Sequence, residues 1–126
     1  MIHLDSSVLI DALTGARRSA PRLRGLIEEG ERIVLSSIVV FEWRRGPRTP
    51  EELEDQEALF PTSESIAFGP EEASIAAETY GKIKRARGRE IDIAIAACAI
   101  SHDADLWTLN PRDFQDIPDL RLVPGP

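Results

Sequence analysis

From Ile91 to Ser101 the chain reads IDIAIAACAIS, with Asp92 as its one charge and no polar face. A helix that is apolar nearly all round needs cover on every side, so it has to run through the middle of a layered domain. Around it, short apolar or β-branched runs alternate with helical patterns. The runs are Ile2–Leu4, Ile33–Leu35, Ser65–Phe68, Asp105–Thr108 and Leu120–Val123. Such alternation predicts an α/β architecture with a mostly parallel sheet. Helices are expected from a Ser6 or Ser7 cap through Leu13, over Pro21–Glu29 ended by Gly30, and from the caps Ser36 and Ser37 through Arg45. Three more are expected over Pro50–Leu59, over Pro70–Arg87 closed by Gly88, and over Ile91–Ser101. A chain of 126 residues makes one domain, 1–126, because halves would be near the size at which an apolar core no longer suffices.

With 42% hydrophobic and 29% charged residues the chain fits neither a disordered tail nor a membrane protein. No apolar run approaches the roughly 20 residues that span a bilayer. The opening residues Met1-Ile2-His3-Leu4-Asp5 lack the basic start of a signal peptide. Cys98, the lone cysteine, sits among alanines as a small buried hydrophobe would. The expected setting is therefore the reducing cytoplasm, with no membrane involved.

A net charge of -7 argues against a nucleic-acid partner until the distribution is considered. Residues 49–81 carry nine acids and no Lys or Arg, whereas residues 1–48 carry eight Arg against six acids. Lys82, Lys84, Arg85, Arg87 and Arg89 form a second basic run. That run suits a helix end, where cations complement the dipole, and equally a contact with a phosphate backbone.

Four acids stand in or beside apolar segments: Asp5, Glu42, Asp92 and Asp113. An ionised carboxylate taken out of water without a partner costs several kcal/mol. A divalent cation would offset that cost, and Mg²⁺ or Mn²⁺ prefers such oxygen ligands. Each acid also has an ordinary explanation. Asp5 can cap a helix, Glu42 can pair with Arg44 or Arg45, Asp92 can sit in a first helical turn, and Asp113 can be a solvated loop acid. A haloacid-dehalogenase-type phosphatase would need a second Asp where Ser7 stands, and a receiver domain would need a late Lys, which the chain lacks after Lys84. His3 and His102 read as strand-flanking and helix-end residues, not as nucleophiles.

In order and separation, four segments resemble the PIN-domain nucleases, specifically the VapC-type toxins. They are Ile2–Asp11 (IHLDSSVLID), Ser36–Gly46 (SSIVVFEWRRG), Asp92–Ala97 (DIAIAA) and Leu106–Phe114 (LWTLNPRDF). The resemblance implies a four- or five-stranded parallel sheet flanked by helices, with Asp5, Glu42 and Asp92 as metal-binding carboxylates. It implies a Mg²⁺-dependent endoribonuclease (Mn²⁺ as substitute) that leaves a 5′-phosphate and a 3′-hydroxyl. It further implies a cognate VapB-like antitoxin whose tail packs near the site, and frequent homodimers. Ser6 is expected to cap the first helix and to orient a ligand or water beside Asp5. Two departures stand out: Ser7 replaces a usual Asn, and Asn110 occupies the usual place of a fourth acid, with Asp113 three residues on as a secondary candidate. These departures keep open a PIN-like module with weakened catalysis that serves as a binding partner. Trp43 is a candidate anchor for the antitoxin tail, although core burial is the commoner use of such a Trp.

Overall fold

The computed structural model describes residues 1–125. Strand β1 (Ile2–Leu4) leads into helix α1 (Ser6–Leu13), then α2 (Ala20–Glu28), β2 (Ile33–Val34), α3 (Ser37–Arg45) and α4 (Pro50–Leu59). Helices α5 (Pro70–Lys82) and α6 (Glu90–Ser101) precede β3 (Asp105–Trp107). Two short 3-10 turns cover Thr62–Glu64 and Pro111–Asp113. The sheet has the order β2-β1-β3 and is parallel throughout, with Ile2 opposite Ile33 and Asp105, and Leu4 opposite Trp107. None of the described helices is long and apolar enough to cross a membrane.

The sheet is narrower than the four or five strands expected. Ser65–Phe68 and Leu120–Val123 contribute only single bridges, Ser36 to Ile66 and Leu106 to Leu122. The neighbour of the first turns into α3 at Ser37, so the ladder has nothing to continue along. Pro118 and Pro124 bracket the second, and proline has no N–H to donate to a ladder.

Helix α6 lies where its composition demands, with Ile93 through Ala99 all buried. Cys98 is enclosed there, and burial, followed by the charge of Glu72, pushes its thiol up to about 12. It is an inert packing residue. Helix α5 ends at Lys82 and not at Arg87. Ile83 leaves the helical region, Arg85 adopts φ 58°, and the turn puts Ile83 and Ala86 against the core. The basic run is thus mostly a loop entering α6, not the end of a helix. Caps follow the residue chemistry elsewhere: Ser36 Oγ accepts the Val39 N–H, and Thr49 and Glu52 form a reciprocal capping box.

Trp43 is fully buried, with Arg48 stacked 4.4 Å from its ring centroid, so it cannot anchor a docking partner. His3 belongs to β1 and does not flank it. It is enclosed at the centre of the sheet, and neither ring nitrogen has a hydrogen-bond partner. Burial, with the charge of His102 adding to it, lowers its pKa to about 4.

Candidate metal centre

In a parallel sheet the carboxyl ends of the strands form the binding crevice, and here β1 and β3 end side by side. The Asp5 N–H donates to the Trp107 carbonyl at 2.9 Å, and the residues just beyond the two strands meet. Thr108 Oγ1 donates to Asp5 Oδ2 at 2.8 Å, and Ser7 Oγ donates to the same oxygen at 2.8 Å. The Leu109 and Asn110 N–H groups in turn donate to Ser7 Oγ and Thr108 Oγ1. Each hydroxyl therefore has its lone pair engaged by backbone and its proton directed at Asp5. Asp5 stands at the N-cap position of α1, yet its side chain caps nothing, and Ser6 and Ser7 lie inside the helix instead of capping it. With both hydroxyls on Oδ2, Oδ1 is the oxygen available to a ligand.

Glu42 arrives from the last turns of α3, which packs against α1. Ser6 Oγ donates to its Oε1 at 2.9 Å and Arg45 Nη2 to its Oε2 at 3.3 Å. Ser6 thus orients Glu42, in place of the expected role beside Asp5, and the Arg45 pair expected for Glu42 is present as well. Asp92, in the first turn of α6, is half-buried. Desolvation first, then the charges of Asp5, Asp113 and Glu42, push its pKa up to about 6, with Arg89 opposing. Asp5, Asp113 and Glu42, from three other segments, are thus near enough for their charges to be felt at Asp92.

Asp113 is exposed at the end of the Pro111–Asp113 turn. Asn110, at the start of that turn, is exposed, and its side chain makes no hydrogen bond to the four carboxylates. Among the described residues no three His, Cys, Asp or Glu side chains stand close enough to close around one ion. Like charges keep apart, and Glu42 is also drawn off by Ser6 and Arg45, so ligation requires side-chain rotation toward a shared ion. The donor set nonetheless fits a hard divalent cation. It is all oxygen, it carries excess negative charge, and Asp5 keeps one oxygen open.

Thr108 and Arg89 went unselected as site residues in the sequence. Thr108 closes the expected strand Asp105–Thr108, and a hydroxyl at the carboxyl end of a strand was the available signal for it. Arg89 gave none, because within its run it is one of five cations.

Lys84, Arg85 and Arg87 stand on the loop that enters α6, a few residues from Asp92.

A family model described as the PIN domain matches residues 2–120. Ribonuclease VapC19 of Mycobacterium tuberculosis H37Rv is 36% identical over 120 residues, which cover 94% of this chain and 95% of that protein. Among solved structures, VapBC2 from Rickettsia felis bound to a DNA fragment from its promoter superposes with a TM-score of 0.79 at 24% identity, covering 100% of both chains. A toxin-antitoxin complex from Klebsiella pneumoniae gives a TM-score of 0.70 at 25% identity, covering 95% of both chains.

Proposed function

The chain belongs to the PIN-domain family, and on that premise we propose that it is a metal-dependent endoribonuclease acting as the toxin of a VapBC-like toxin–antitoxin pair. What supports this reading is the place of Asp5 just beyond the carboxyl end of β1, beside Thr108 after β3, with Asp5, Asp113 and Glu42 near enough for their charges to raise the pKa of Asp92. The ribonuclease name of the relative at 36% identity supports RNA as substrate, and the toxin-antitoxin neighbour supports an inhibitory protein partner.

Asp5, Glu42 and Asp92 would hold Mg²⁺ or Mn²⁺, with Asn110 or Asp113 completing the set. A bound divalent cation supplies positive charge at the scissile phosphate and makes a water acidic enough to attack near neutral pH. The protein's own groups do the rest. Ser7 and Thr108 keep Asp5 in one rotamer, while Ser6 and Arg45 hold Glu42, which would have to turn from them to reach an ion shared with Asp5 and Asp92. Lys84, Arg85 and Arg87 offer the RNA backbone a cationic approach that the acidic cleft lacks.

Two measurements test this. Millimolar Mg²⁺ or Mn²⁺ is expected to raise the melting temperature by about 3 °C or more, and Asp5→Asn to abolish the rise. A flat titration in both proteins would refute the metal site. Cleavage of a labelled RNA pool is expected with metal and not with EDTA, and a matched DNA pool should stay intact. RNA binding without cleavage would instead identify a non-catalytic binding module. The double variant Lys84→Ala/Arg85→Ala is expected to weaken RNA binding about tenfold or more at low salt, with the difference shrinking as salt rises. Equal binding at all salt concentrations would leave the loop as a solvated connection only.

A further inference from the structure

Arg89 ends the basic run but does not share the exposure of Lys84, Arg85 and Arg87, since its side chain is only 21% exposed. Its backbone is the N-cap of α6, and its carbonyl accepts the Ile93 N–H at 2.9 Å. Its side chain crosses to the segment after β3. Nη1 donates to Asp116 Oδ2 at 2.8 Å, while Nη2 donates to Asp116 Oδ1 at 2.6 Å and to the Asp113 carbonyl at 2.8 Å. Among the described residues these are the only hydrogen bonds between the Pro111–Asp116 segment and the chain around the start of α6. One residue therefore joins the helix end that bears Asp92 to the turn that bears Asp113.

The two carboxylates repel; Phe114 anchors the turn in the core, but Asp113 itself is exposed, and among the described residues only the Arg89 fork bonds its backbone to the start of α6. Arg is suited to the task because its planar fork fixes direction as well as charge, which an ammonium cannot do. We propose that Arg89 is a positioning residue: forked onto Asp116 and the Asp113 carbonyl, it holds the Asp113 carboxylate toward Asp92 so that the two can share a divalent cation. This rests on the metal-dependent reading above, and it assigns Arg89 to the metal centre and not to the RNA-contacting loop.

The test compares wild type, Arg89→Lys, Asp113→Asn and the double variant, with Mn²⁺ binding measured by calorimetry in the absence of RNA and kcat and KM measured with RNA. Arg89→Lys is expected to weaken Mn²⁺ binding about 10–100-fold, to lower kcat with KM little changed, and to add nothing to the loss already caused by Asp113→Asn. Asp116→Asn, which alters only an exposed acceptor, should move both readouts in the same direction by less, and it serves as the test if Arg89→Lys fails to fold. Three outcomes overturn the proposal: Mn²⁺ binding equal to wild type in Arg89→Lys and Asp116→Asn, losses that add fully to those of Asp113→Asn, or a raised KM at constant kcat, which marks a phosphate contact. A wild-type protein without Mn²⁺ affinity overturns the proposed function as well. Wild-type binding and cleavage matched by Arg89→Lys overturns the positioning role alone.

Discussion

Asp92→Asn is expected to reduce metal-dependent RNA cleavage on the order of 10²–10³-fold while making the metal-free protein more stable. The two effects share one cause. In the folded protein the Asp92 carboxyl titrates at about 6, against an ordinary value of 3.8, because desolvation and three neighbouring acids oppose its charge. The folded state then holds a proton that the unfolded state has lost. Stability from this group is present below the unfolded value and disappears as pH rises through about 6. At pH 8, in EDTA, the ionised side chain costs about 1–2 kcal/mol after allowance for its partial exposure. The neutral amide removes that cost, so Asp92→Asn should melt higher than wild type at pH 8, with the advantage fading toward pH 4. Denaturation scans across that range, beside circular dichroism, check it. A variant that loses its helical signal, or melts below wild type at pH 8, would make Asp92 a structural acid.

His3 is expected to make the protein sensitive to acid, with the opposite sign. Its imidazole titrates at about 4 when folded and near 6.5 when unfolded, because burial at the sheet centre rejects the cation. Between those values the unfolded chain binds the extra proton, so stability falls as pH drops, by about 3 kcal/mol in all. His3→Leu should remove this loss. It should also be neutral or stabilising at pH 7, since it eliminates two buried ring nitrogens without partners. Because Asp92 pulls the other way over the same range, the comparison belongs in the Asp92→Asn background, by urea denaturation from pH 7 to pH 4. Equal pH slopes with and without His3 would show that the ring is solvated or paired in solution.

Much of the fold was legible because burial is written in composition. IAIAACA can only be interior, and α6 is interior. A serine cap placed α3 to within a residue, and a proline with acids in the first turn placed α4. The weaker readings were those decided by contacts distant in sequence. Ser65–Phe68 and Leu120–Val123 have strand composition, but strand length depends on how far the neighbour stays extended, and Ser37 begins a helix. The Pro70–Arg87 pattern has helical spacing to its end, yet burying Ile83 and Ala86 off the helix axis outweighs continued helix.

The same division runs through the candidate site. Asp5, Glu42 and Asp92 are nominated by sequence alone, since an acid in an apolar segment is costly if that segment is buried; Asp113, nominated on the same ground, lies exposed. What surrounds each acid was decided by tertiary structure. Ser6 orients Glu42 across 36 residues, Thr108 and Ser7 share one oxygen of Asp5, and Arg89 ties the Asp113 turn to the start of α6. Hydrogen bonds of this kind depend on direction and on distances of about 3 Å. Only the packed arrangement of strands and helices sets such distances, whereas the pattern of residues along the chain records which side chains are available to meet.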